Sequence, residues 1–127
     1  VVLVTAFFVR GRPVPQGSLK FIQGRPIHAR AADLAVWRAD IAREAQLHGH
    51  SPTDGAYRIK CSFTYFKPKS ATRTYPSVKP DLDKLVRAVL DGLTGVAYID
   101  DCQVVAIEAI KTYNNAEGVW IDIERVA

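Results

Sequence analysis

The sequence predicts a mixed α+β domain in which a mixed β-sheet carries two main helices, in one small unit spanning residues 1–127. Three observations lead there. Runs rich in β-branched and aromatic residues alternate with two segments of helical period. Apolar residues make up 48% of the 127 residues, with no low-complexity run, which is the composition of a chain that buries a core. No internal repeat or linker divides it.

The elements follow in order. Residues 1–9, VVLVTAFFV, read as a buried first strand. The proline- and glycine-rich RGRPVPQGS that follows is a loop. LKFIQGRPIH gives two short extended pieces around Gln23-Gly24. From Ala29 to His50 the period becomes helical: Leu34, Trp37, Ile41 and Ala45 share one face, and Gly49 is the stop. AYRIKCSFTYF is a strand, and KPKSATRTYPSVKP is a long polar loop of the kind that carries function in small domains. Leu82, Leu85, Val86, Val89, Leu90 and Leu93 form the stripe of a second, amphipathic helix. VVAIEAIKTY and GVWIDIERV are strands, and NNAE between them suggests a hairpin turn. The predicted order is β, hairpin, α, β, α, β, β.

Several function classes drop out. No apolar run approaches the ~20 residues of a membrane span, and the N-terminal run lacks the basic start and cleavage site of a signal peptide. Cys61 and Cys102 form no CxxC pair, which argues against zinc and for a reducing, cytoplasmic setting. Cys102 reads as a small strand residue rather than a nucleophile. His48 and His50 follow a helix end and read as caps rather than metal ligands. Trp37 reads as core. Trp120 alternates with Val119 and Ile121 and so faces the other side of the sheet, which marks a dimer surface. Glu108 fits an extra site acid or an edge residue at that contact. Tyr75 fits a wedge against a base or an ordinary loop tyrosine.

The net charge is +4, and its distribution is uneven. Arg10, Arg12, Lys20, Arg25 and Arg30 fall early, and Lys67, Lys69, Arg73 and Lys79 precede a cluster of acids. That cluster, from Lys79 to Val104, holds five aspartates: Asp81, Asp83, Asp91, Asp100 and Asp101. A basic approach to an acidic centre suits a polyanion held near metal ions. The first aspartates also fit a structural role. Near a helix start they stabilise its dipole by about 0.3–1 kcal/mol, Asp81 is a good N-cap type, and Asp83, Arg87 and Asp91 are spaced for i, i+4 ion pairs. Asp100 and Asp101, adjacent and flanked by apolar segments, suggest instead carboxylates that converge with the helix N-terminus. If the helix packs antiparallel to the following strand, hard oxygen ligands meet there and suit Mg²⁺, with Mn²⁺ as a substitute.

The stretch PDLDKLVRAVLDGLTGVAYIDDCQV resembles the signature of the RusA family of Holliday junction resolvases, roughly Pro-Asp-x-Asp-Asn-Leu-x-Lys, an apolar helix, then Asp-Asp-x-Gln-Val. The likeness covers residues 79–105, and the early VRGRPVPQGSLK is similar to that family's glycine–proline segment. The resemblance implies a homodimeric, Mg²⁺-dependent endonuclease that resolves four-way DNA junctions by paired symmetric nicks in recombination and repair. It implies Asp81, Asp83 and Asp101 as metal-binding catalytic carboxylates and Asp100 as a supporting acid. Lys84 stands where the family has asparagine, and Arg87 where it has lysine. A lysine can lend a proton whereas an arginine stays charged, so Arg87, with Lys84, is expected to stabilise phosphate charge, and proton transfer by Lys84 is the alternative. Lys67, Lys69, Arg73, Lys79, Arg12 and Lys20 are the candidate DNA contacts. Two rival readings fit the same residues: a non-catalytic module that binds branched DNA, and a broader phage nuclease acting on forks, flaps or DNA being packaged.

Overall fold

A computed structural model describes residues 6–17, 19–22, 25–28 and 31–127 of the chain. The first predicted strand appears as β1 (Ala6–Arg10), and residues 1–5 of that expectation lie outside the described residues. The two short extended pieces form an antiparallel pair of their own, β2 (Leu19–Ile22) and β3 (Arg25–His28). Helix α1 (Ala31–Leu47) buries Leu34, Trp37, Ile41 and Ala45, the face its period predicts. Gly49 follows with φ +86°, the left-handed conformation that ends helices. After β4 (Tyr57–Tyr65) and the long loop come helix α2 (Leu82–Leu93), a 3₁₀ turn (Asp101–Gln103), β5 (Val104–Tyr113) and β6 (Gly118–Arg125).

The main sheet is mixed, with strand order β1-β6-β4-β5. β4 is central: β6 lies antiparallel on one side of it and β5 parallel on the other. The hairpin expected at NNAE is therefore corrected, because β5 and β6 are not neighbours. β4 lies between them, and the 114–117 connection crosses its end. Asn114 N donates to Tyr65 O at 2.9 Å, and Thr64 Oγ1 donates to Ala116 O at 2.6 Å. A turn-forming sequence between two strands does not say which strand each one pairs with. Here the parallel β4–α2–β5 crossover has already filled one side of β4.

Alternation along the strands makes one face of the sheet apolar. Phe7, Ile121 and Cys61 lie across from one another, as do Val9, Val119 and Phe63, and all are buried. Both helices join this same core through Ile41, Leu85, Val89 and Leu93, each fully buried and each contributing about 1.5–3 kcal/mol. His48 ends α1 as expected: its Nδ1 lies 2.8 Å from Glu44 O, and its ring stacks on Phe7. Trp120 lies on the open face at 51% exposure, with its ring 5.2 Å from that of Phe8. Cys61 is buried, which pushes its thiol up to about 12 and leaves it inert. Cys102 corrects an expectation, since it is exposed in the 3₁₀ turn and not in a strand. Among the described residues no helix is long and apolar enough to cross a membrane.

Gly118 marks the tightest backbone approach in the sheet. A Cβ there would come within 2.3 Å of Val9 O and 2.4 Å of Phe8 Cζ. Gly118→Ala is therefore expected to lower unfolding stability by about 1–3 kcal/mol, read as a lower urea midpoint at unchanged slope. An unchanged midpoint would contradict the pairing of β1 with β6 at this register.

Candidate active-site groove

Asp81 sits at the N-cap of α2 with extended backbone (φ −70°, ψ 138°), the conformation usual for that position. Its side chain makes no capping hydrogen bond and is exposed. The carboxylate faces Lys84 Nζ at 3.5 Å instead. Asp83, also exposed, lies in the first helical turn. The groove beside Asp81 is lined by Arg12, Lys79 and Lys84 together with Pro13, Pro15 and Pro80. One carboxylate thus stands among three cations on a rigid, proline-walled surface. The first-turn amides of α2 add the positive end of the helix dipole.

Two contacts hold this end in place, and sequence reasoning assigned neither. Lys111, in β5, donates from Nζ to Val78 O at 2.7 Å and to Pro80 O at 2.8 Å. It ties the segment that delivers Asp81, across the cis Lys79-Pro80 peptide, to the sheet. The signal was a lysine inside a largely apolar strand. The second contact is Gly17, where φ is +108° and a Cβ would come 2.7 Å from Arg87 Nη1. Arg87 therefore packs over the proline loop, one helical turn beyond Asp83, while Gln16 N donates to Lys84 O at 3.0 Å. The i, i+4 pairing considered for Asp91 gives way to a cross-element one: Asp91 accepts from Gln16 Nε2 and lies 4.0 Å from Arg38 Nη1.

Asp100 and Asp101 begin the 3₁₀ turn before β5. Asp100 is its cap: Cys102 N donates to Asp100 Oδ1 at 3.1 Å. Gln103 clamps the same turn. Its Oε1 accepts from Ile99 N at 2.8 Å and Asp100 N at 2.9 Å, and its Nε2 donates to Thr53 O and Gly55 O, both at 3.0 Å. The glutamine of the motif is thus the residue that fixes the acidic turn. The two acids separate electrostatically. The Cys102 amide, then the hydrogen bond with Asp101, hold Asp100 below the usual carboxylate range. Asp101 is raised, first by its hydrogen bond with Asp100, then by desolvation and by the charges of Asp100 and Asp91.

The expected convergence of all these acids does not occur within one chain. α2 does run antiparallel to β4 and β5. That direction places its N-terminus at the far end of β5, where Lys111 holds Pro80, and its C-terminal end at the Asp101 turn, where Asp101 feels Asp91. Twelve residues of helix separate the two acidic ends by about 18 Å. Among the described residues no three of His, Cys, Asp and Glu gather into a group able to hold a metal ion. Carboxylate oxygens are hard donors of the kind Mg²⁺ prefers, and one chain presents them at two separate ends of α2.

The remaining candidates are dispersed. Arg12 Nη1 pairs with Glu117 Oε2 at 3.1 Å, and its guanidinium lies 5.4 Å over the Tyr65 ring. Lys67 lies over Tyr113, and Arg73 donates to the Tyr113 hydroxyl at 3.1 Å. Lys69 and Tyr75 are exposed in the long loop. Glu108 is exposed on edge strand β5, 3.3 Å from Lys60 Nζ. Lys20 falls in β2, and its side chain, like Arg30, lies outside the described residues.

An exposed carboxylate set among cations in an open groove suits the class of proteins that hold phosphate backbones. Two comparisons narrow that class. The profile of the family described as Endodeoxyribonuclease RusA matches residues 10–124. A Bacillus subtilis (strain 168) protein, the uncharacterized protein YqaN, is 38% identical over 136 residues, covering 95% of this chain and 96% of its own length. The chain belongs to the RusA family of endodeoxyribonucleases, the Holliday junction resolvases that its motif resembles.

If Asp100 holds the proton on Asp101, Asp100→Asn should move the Asp101 titration midpoint down toward the ordinary carboxylate value, since the amide donates to Asp101 and removes a like charge. Carboxyl-carbon NMR across the acid range reads this directly. An unmoved midpoint would show that the two side chains do not share a hydrogen bond.

Proposed function

We propose that the protein is a Mg²⁺-dependent, structure-selective endonuclease that nicks four-way DNA junctions symmetrically as a homodimer. The observation that carries this reading is the groove at the start of α2, where exposed Asp81 stands among Arg12, Lys79 and Lys84 on a chain whose family cuts DNA. The cations and helix amides bind the phosphate and draw charge from it. Arg87, fixed over Gly17 and permanently charged, steadies the phosphate one turn along. Lys84, 3.5 Å from the Asp81 carboxylate, adds a second cation beside the phosphate in this reading. A divalent cation on these carboxylates would supply Lewis acidity and a more acidic water.

A second copy completes the carboxylate set in this reading. β5 is an edge of the sheet, ten residues long, with Val105 at 65% and Ile107 at 50% exposure. A long apolar edge is a template for another strand. Antiparallel self-pairing centred on Glu108 opposes like charges and is disfavoured. Pairing centred on Ala106 or Ile107 packs Ile107 against the partner's Val105 or Ile107. Either register sets the partner's 101–103 turn opposite Lys111, the residue that holds Pro80 beside Asp81. The Asp101 half-site of one protomer then meets the Asp81–Asp83 half-site of the other. The two-fold axis gives two such sites, as paired nicks require.

The test is cleavage of a synthetic four-way junction against linear duplex of the same sequence, with and without Mg²⁺. Metal-dependent nicking of the junction is expected, and it should be lost in Asp81→Asn, Asp83→Asn and Asp101→Asn with junction binding retained. Near-normal turnover by Asp83→Asn would overturn the site, and binding without nicking by the parent protein would favour a non-catalytic junction-binding module. Removing both Arg12 and Lys79 should flatten the slope of log affinity against log salt by about 2 units. An unchanged slope would show that the groove does not meet phosphate.

A further inference from the structure

A second cleft adjoins the Asp81 groove and shares Arg12, Lys79 and Pro80 with it. Its character differs. Exposed Phe66 and half-buried Tyr113 supply aromatic surface beside buried Tyr65, and Arg12, Arg73 and Lys79 supply charge. Phe66 is the informative residue. It is 55% exposed, the first residue past β4, and its amide donates to Glu117 Oε2 at 3.2 Å. The same carboxylate oxygen accepts from Arg12 Nη1 at 3.1 Å. One acid therefore fixes a bare ring and a cation side by side. Across the cleft Tyr113 is held by Arg73 through its hydroxyl and is overlain by Lys67 Nζ at 5.9 Å. Exposed aromatic faces interleaved with cations are how proteins bind single-stranded nucleic acid: the rings take bases and the cations take the backbone.

Size decides how a base fits. The cleft encloses about 80 Å³, against about 150 Å³ for a cavity that swallows a benzene ring whole. A base would enter edge first, with much of its face left on the exposed ring of Phe66. The shared wall then sets the register: a nucleotide whose base lies here places its neighbouring phosphate over Lys79 and Arg12, at the lip of the Asp81 groove.

We propose that this cleft is a base-stacking subsite, in which a nucleobase unstacked from the duplex lies against Phe66 and Tyr113 next to the phosphate held in the Asp81 groove. The inference rests on the proposed junction-cutting function and adds the part of the substrate that the phosphate groove does not touch. It makes Phe66 a specificity-determining residue. Continuous duplex keeps its bases stacked and cannot fill the cleft, whereas the exchange point of a junction offers a base that leaves its stack at little cost.

The test is photocrosslinking without divalent metal, so that cleavage plays no part. Junctions carry 5-iodouracil at successive positions through the exchange point, and the crosslinked residue is identified by mass spectrometry. Crosslinks to Phe66 or Tyr113 are expected from a position within two nucleotides of the exchange point. Phe66→Ala should abolish the Phe66 crosslink and weaken junction binding about 5- to 100-fold, the range that one base–aromatic stack is worth. Its duplex binding and circular dichroism should stay unchanged, and Phe66→Trp should bind as the parent does. Junction binding by Phe66→Ala within twofold of the parent, or crosslinks confined to residues outside the cleft, would overturn the subsite and leave the proposed function standing. Absence of junction binding by the parent protein would overturn both.

Discussion

Helix α2 is held down by its apolar stripe. Leu85, Val89 and Leu93 sink into the core that both sheet and α1 share, and the parallel pairing of β4 with β5 requires the intervening helix to run back along the sheet. The aspartates of the motif are arranged around that constraint. The helix presents Asp81 and Asp83 at one end of β5 and delivers the chain to Asp100 and Asp101 at the other. The apolar packing that stabilises the fold also keeps the acidic ends of the helix about 18 Å apart. Bringing them together within one chain would mean lifting the helix off its core.

Each of these acidic ends is fixed by long polar side chains. Lys111 ties the approach to Asp81 to the sheet, Gln103 closes the acidic turn onto residues 53 and 55, and Glu117 sets Arg12 and Phe66 side by side. Their common feature is reach across the fold. Each is a long side chain that joins segments far apart in sequence, so the site geometry depends on the sheet being assembled first. Charge follows the same division: the groove at the helix start is cationic around one acid, whereas the turn before β5 holds two acids that share a hydrogen bond.

Much of this was legible in the sequence. Both helical stripes, the burial of Trp37, the outward face of Trp120 and the α+β class all follow from period and alternation, because those patterns are set by local geometry. The hairpin at NNAE misled because strand pairing is a tertiary decision, and β4 took the place that β6 would have filled beside β5. The convergence of the aspartates misled for a related reason. Spacing shows that two acidic pairs flank a helix, but only helix direction shows which end meets which strand terminus. The clamps at Lys111 and Gln103 were hidden because their partners are backbone carbonyls and amides, which leave no mark in a sequence.

Helix direction and the exposed β5 edge together make the partner subunit part of the proposed site, and mixing two dead variants tests this most directly. Asp81→Asn and Asp101→Asn proteins, each inactive alone, would be combined, allowed to exchange subunits, and assayed on a four-way junction with Mg²⁺. In a site shared between protomers the heterodimer carries both substitutions in one site and neither in the other. The mixture should therefore recover nicking of single strands, from one site per dimer. If each chain held its own complete site, both sites of the heterodimer would be defective, and a mixture as inactive as its components would contradict the account.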